Sequence, residues 1–144
     1  MKTITVEKTF PVSRQQGWEM LADISNYPRF VPFITDAMLP GALEEGAVWH
    51  DTTNILWVTQ RVAHLVQVVE KYERLVFVVP VIGGEVREEL ILEEKGKRTK
   101  IIMSVSITIR PMIVEETIGR VLAKRFEYML MGTLANIEAF FAKQ

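Results

Sequence analysis

Ile4 and Val6 alternate with Thr5, Glu7 and Thr9 and lead to Phe10, the period-2 pattern of a half-buried strand. Ser13 followed three residues later by Gln16 is a capping-box signature, and it predicts a short helix over Arg14 to Ala22 burying Trp18, Leu21 and Ala22. Asn26-Tyr27-Pro28 offers a cap and a proline suited to a first turn, so a second short helix is expected there, ahead of the apolar cluster Phe30, Val31 and Phe33. Beyond it, Pro40-Gly41, Glu45-Gly46, Glu73-Arg74, Gly83-Gly84 and Lys95-Gly96-Lys97 punctuate segments rich in Val, Ile, Thr, Phe and Trp. Six more antiparallel strands fit between these turns, near 34–40, 47–56, 58–71, 74–81, 84–94 and 98–110. In the last, Ile101, Met103, Val105, Ile107 and Ile109 share one face, so the sheet has a dry side that needs a cover. The segment 114–142 supplies it: Val114, Ile118, Val121, Leu122, Phe126, Met129, Leu130, Thr133, Ile137, Phe140 and Phe141 recur at three- and four-residue spacing. That is one amphipathic helix of about 28 residues, or roughly 40 Å, with Lys124, Arg125, Glu127, Glu138 and Lys143 expected to face water. The class is α+β: a curved seven-stranded antiparallel sheet gripping a long C-terminal helix, in a single domain over 1–144. A strongly bent sheet under a straight helix leaves space at one end, so a cavity is expected there.

Composition narrows the function. The 144 residues hold 17 Lys+Arg against 18 Asp+Glu, a formal net charge of -1, which lacks the excess of cations that phosphate neutralisation demands. No nucleic-acid partner is expected. With no cysteine and two histidines, disulfide scaffolds, thiol catalysis and cysteine-ligated zinc are excluded, and no metal or cofactor is expected. The N-terminal residues contain no signal-peptide pattern, and the longest uncharged apolar run, Leu75 to Gly84, is too short to span a membrane, so a cytoplasmic protein without an integral membrane segment is expected. Gly-rich phosphate loops, serine nucleophile elbows and HExxH-type motifs are absent from the sequence.

Two features bear on family. Phe10-Pro11-Val12-Ser13, followed by Gly17 to Pro32 with its Trp18 and its Asp23–x–x–x–Tyr27-Pro28–x–Phe30–x–Pro32 run, resembles the N-terminal signature of the START-like (SRPBCC) superfamily, whose fold is the helix grip. Gly46-Ala47-Val48-Trp49 and Arg98-Thr99-Lys100 match the family's approaches to the third and last strands, in order across nearly the whole chain. The most similar branch is the polyketide cyclase/dehydrase and lipid-transport group, with the coenzyme Q-binding proteins alongside. The resemblance implies a hydrophobic small molecule held between sheet and helix, for carriage or sequestration. It brings no catalytic residue, because the superfamily has no single catalytic motif. Its Rieske branches use cysteines in an extra domain, and this chain has neither.

The residues offer candidate chemistry of their own. If the 58–71 strand buries Val58, Val62, Val66 and Val68, His64 shares that face and looks into the space between sheet and helix, where it is either an acid/base group or a core or edge imidazole satisfied by a neighbour. Glu88 has the parity of Val86, Leu90 and Leu92, so a carboxylate stands among apolar neighbours unless it lies in water or pairs with arginine. Trp49, Asp51, Ile55 and Trp57 share one face of their strand, while Val48, His50, Thr52, Asn54 and Leu56 share the other, and the pattern does not choose which looks inward. Arg61 suits an anionic head group or a cross-strand ion pair. Phe77, Met103, Val105, Phe126, Met129 and Leu130 complete the expected lining, Met131 joins Met103 and Met129 on the two elements flanking the cavity with Met112 nearby, and Gly132 either allows close helix-sheet contact or leaves ligand room. Binding by the set Trp49, Asp51, Trp57, His64, Phe77, Glu88, Met103, Val105, Phe126, Met129 and Leu130 is the leading expectation. One alternative is a cyclase/dehydratase using His64 or Glu88. The other is a protein-interaction module with a collapsed cavity and an exposed patch at Tyr27, Phe30, Val31 and Phe33.

Overall fold

A computed structural model describes residues 1–55 and 58–143. Strands β1 (Lys2–Phe10), β2 (Ile34–Met38), β3 (Val48–Ile55), β4 (Val58–Glu70), β5 (Arg74–Val81), β6 (Gly84–Lys95) and β7 (Arg98–Ile109) form one sheet in the order β1-β7-β6-β5-β4-β3-β2. Every neighbouring pair is antiparallel. The fold is the seven-stranded antiparallel sheet covered by a long C-terminal helix that the pattern predicts, with element ends shifted by a few residues.

Helices α1 (Arg14–Ala22) and α2 (Tyr27–Phe30), linked by a 3-10 turn at Ile24–Asn26, connect β1 to β2 across the full width of the sheet. The capping box forms: Ser13 Oγ accepts the Gln16 backbone N–H, and the Gln16 side chain accepts the Ser13 N–H. Asp23 Oδ1 accepts the Ser25 N–H to start the 3-10 turn. Replacing Ser13 by alanine is expected to lower stability by about 1 kcal/mol, the usual worth of such a cap, read as a lower urea midpoint at unchanged slope.

Helix α3 (Met112–Ala142) spans 31 residues and packs on β1, β7 and α2. Its Leu130, Leu134 and Ile137 enter the core beside Phe10, Ile101, Met103, Val105 and Ile107. The strands from β3 to β6 lie beyond its main contacts, and the cavity opens between them and the helix. Gly132 follows neither expectation: a Cβ there would come within 2.8 Å of the Pro32 ring, so it allows the helix to approach the loop after α2, not the sheet, and it does not line the cavity. Arg125 departs from expectation. Its aliphatic stem is partly buried and its guanidinium lies 3.9 Å above the Phe33 ring, a cation–π contact in place of solvent. Met112 and Met131 also turn out to water, because α3 presents only one stripe to the sheet.

The expected alternation along β4 is interrupted. A register shift between Val66 and Val68 swaps the inward parity, so Val69 packs on the core in place of the expected Val68. Val58, at the strand's other end, is also largely exposed. His64 lies before the bulge and keeps the inward face with Val66.

Candidate functional site

The cavity has a volume of about 540 Å³. Its walls include Leu21, Tyr27 and Phe30 from the helical connection, Trp49 from β3, Phe77 from β5, Val86 from β6, Met103 and Val105 from β7, and Phe126, Met129, Leu130 and Ile137 from α3. Every expected lining residue that the structure describes stands on this wall, Asp51, His64 and Glu88 included; Trp57 falls outside the described residues.

Three of these residues form a single polar cluster. Trp49 and His64 are direct cross-strand partners on β3 and β4, and their rings stack with centroids 3.7 Å apart and planes 4° from parallel. Asp51, two residues along β3 on the same face, places Oδ2 2.6 Å from His64 Nε2. Glu88 on β6 reaches over β5 to put Oε1 2.6 Å from His64 Nδ1. Each ring nitrogen therefore faces a carboxylate acceptor, and only the doubly protonated imidazolium donates to both. His64 is pushed up from 6.5 to about 9: burial works against the charge, but the charge of Glu88, the hydrogen bonds to Asp51 and Glu88, and the charge of Asp51 outweigh it.

The three residues differ in access. Asp51 is 1% exposed and His64 4%, whereas the Glu88 side chain keeps 23% of its surface open. Asp51 is further occupied by Thr53, whose hydroxyl donates to Oδ1. Among the described residues, Glu88 Oε2 has no hydrogen-bond partner. His64, held at both nitrogens and on one face, is a positioning group, and Glu88 is the member that meets the cavity.

Tyr27 closes the floor. Its ring stands edge-on to Trp49, with centroids 5.3 Å apart, and its hydroxyl donates to the Leu21 carbonyl at 2.6 Å. Burial, then the charges of Glu88 and Asp23, push its ionisation far above the usual phenol range, so it stays neutral. Tyr27 and Phe30 are thus buried cavity and core residues, not members of an exposed patch. The expected apolar docking surface around them does not form, because the two short helices fold under the sheet and bring both rings inward.

Sequence reasoning passed over Thr53, Leu21 and Val86 as parts of this site. Thr53 was findable, since it has the parity of Trp49 and Asp51 in a strand where that face turns inward.

No family model and no curated protein matches the chain. Solved structures match it in shape over nearly its whole length. Major latex-like protein 151 from ginseng, Panax ginseng, is 13% identical with a TM-score of 0.74, covering 96% of each chain. A START superfamily protein from Mycobacterium smegmatis is 10% identical with a TM-score of 0.69, over 98% of this chain and 97% of its own. The ZhuI aromatase/cyclase from Streptomyces sp. R1128 is 13% identical with a TM-score of 0.75, over 96% of this chain and 92% of its own. At these identities the likeness is one of fold, and the fold is the START-like helix grip. Among the described residues, no helix is long and apolar enough to cross a membrane.

Proposed function

We propose that this protein binds an apolar small molecule between its sheet and α3, for carriage or sequestration, with the polar end of the ligand at Glu88. The observation that carries the reading is the cavity itself: about 540 Å³, walled largely by aromatic, Leu, Val and Met side chains, with the Asp51–His64–Glu88 cluster and Arg61 among its polar members. A volume in this range suits a small organic ligand, and a few fixed polar groups in an apolar wall orient such a ligand. The START superfamily structure of the same shape is in keeping with it.

Native mass spectrometry of the purified protein, with extraction of whatever co-purifies, tests the proposal. A retained apolar molecule is expected in the wild type. Met129→Trp, which fills the cavity from α3, is expected to abolish retention while costing about 1–3 kcal/mol of stability. A wild type that stays empty and takes up no quinone, lipid or polycyclic aromatic compound overturns the reading.

One observation favours a second reading, proton transfer on the bound molecule. His64 and Glu88 converge within hydrogen-bond reach inside the cavity, and the structurally similar ZhuI is an aromatase/cyclase. In that reading the Glu88 carboxylate takes the proton alpha to a ligand carbonyl and returns it to the beta-hydroxyl as the C–O bond breaks and water leaves, while the imidazolium of His64 fixes the carboxylate's position and balances its charge. Glu88→Gln separates the two readings. A carrier retains the same molecule as the wild type, whereas a dehydratase-type variant retains one heavier by a water.

A further inference from the structure

The ladder between β4 and β5 stops while both strands run on. Its last pair toward the β5–β6 turn is Leu65 with Val78, yet β4 extends back to Val58 alongside β3, and β5 extends to Val81 alongside β6. Among the described residues, this is the one strand pair of the sheet in which both partners continue past their last rung. Proline supplies the reason. The Val66 N–H donates to the Ala47 carbonyl just before β3, so in this stretch the even-numbered residues of β4 turn their peptide groups to β3, and Leu65, Ala63 and Arg61 turn theirs to β5. Leu65 and Val78 therefore form a hydrogen-bonded pair, and the next such pair would be Ala63 with Pro80. Pro80 has no N–H to give the Ala63 carbonyl, so that rung is lost and the ladder does not resume.

At this end the sheet is split into two leaves, β1-β7-β6-β5 and β4-β3-β2, and the seam between them borders the cavity. Arg61, Val62 and Ala63 on one side and Val79, Pro80 and Val81 on the other all line it. The same seam meets solvent, because Arg61 and Pro80 are exposed, and so is Gln60 despite having the inward parity of His64. At the seam's inner end the leaves are tied by the Leu65–Val78 rung and by the hydrogen bond from His64 on β4 to Glu88 on β6. Beyond that tie, no ladder bond has to break for β4 to move away from β5, which places this seam at the low-stability end of the sheet.

Resting on the binding function proposed above, we propose that this seam is the door of the cavity: β4 and β5 part from Pro80 back to the Leu65–Val78 rung, and an apolar ligand enters and leaves between the two strands. Passage between β3 and β4, β5 and β6 or β6 and β7 would first break hydrogen-bonded rungs.

Two measurements on the whole chain test this. Amide hydrogen exchange followed by NMR is expected to find Arg61 and Ala63 fast, and Val62 and His64, bonded to β3, slow. Equal protection of Ala63 and His64 overturns the split seam, whatever the cavity binds. Stopped-flow fluorescence with the neutral probe N-phenyl-1-naphthylamine reads entry and release. Pro80→Val restores the missing N–H; it is expected to raise the protection of Ala63 and to slow association and dissociation at least about five-fold, with Kd altered far less because both directions cross one barrier. The double variant Ala63→Cys/Pro80→Cys closes the seam even where the ladder does not re-form, through a disulfide or a short bis-maleimide, in a chain with no other cysteine. Exchange of the probe is expected to slow on closure and, for the disulfide, to recover on reduction. Unchanged rates with the seam closed overturn the door and put the route beneath α3. Failure of the probe to bind the wild type overturns the binding function and this inference with it, while the amide exchange pattern still reports whether the seam is split.

Discussion

Replacing His64 by leucine is expected to destabilise the protein by roughly 3–5 kcal/mol, the scale on which removing one member of a buried ion cluster acts. Leucine nearly matches the volume of the imidazole, so the loss does not come from a cavity. It comes from Asp51 and Glu88, which each give up a hydrogen bond at 2.6 Å and are left facing the same apolar site with like charge. Asp51 is the more severely placed, being buried at 1% exposure with Thr53 as its remaining partner. Urea unfolding at pH 7 measures the effect. Adding Asp51→Asn and Glu88→Gln to His64→Leu should recover a substantial part of it, because neutral amides remove the repulsion even though the hydrogen bonds stay lost. A His64→Leu protein within about 1 kcal/mol of wild type would mean that the cluster is hydrated well enough for each carboxylate to stand alone. A triple variant no more stable than the single one would locate the loss in hydrogen bonding and packing rather than in charge.

The parts of this cluster were unequally visible before folding. Glu88 could be placed because β6 alternates without interruption, so Val86, Leu90 and Leu92 carry it inward. His64 could be placed because the bulge of β4 comes two residues after it, beyond Val66. Asp51 could not, since its strand puts an aromatic and an acid on one face and a valine and a histidine on the other, and alternation has no purchase on such a sequence. Only the cover decides: α2 supplies Tyr27 against Trp49, which buries the odd face of β3. The meeting of His64 with Glu88 was further out of reach. They sit on strands separated by β5, and their alignment depends on the registers of two ladders at once. The long helix and the seven strands, by contrast, follow from local periodicity, which survives any such detail of register.

The same cluster should tie stability to pH in a defined window. His64 holds its second proton up to about 9 in the folded protein, against 6.5 for an unperturbed imidazole. Between those values the folded state retains a proton that the unfolded chain releases, so unfolding free energy falls as pH rises, by about 1.4 kcal/mol per pH unit. The contribution is complete below about pH 6.5 and is lost as pH rises through about 9, a total on the order of 3 kcal/mol. Asp51 and Glu88 from the sheet face the ring directly, Trp49 covers it, and Tyr27 beneath Trp49 is held neutral throughout this window. The His64→Leu protein carries every other titrating group, so the difference between its stability profile and that of the wild type isolates the imidazole. That difference should shrink steadily from pH 6.5 to 9.5. Nitrogen-15 NMR supplies a direct check: at pH 7.5 both ring nitrogens of His64 should show the shifts of N–H groups, with protons slow to exchange. A neutral tautomer at that pH, or a difference profile that stays flat across the window, would mean that one carboxylate shares the proton. Glu88 would then face the cavity as an acid rather than as a base, reversing the direction of proton transfer in the catalytic reading.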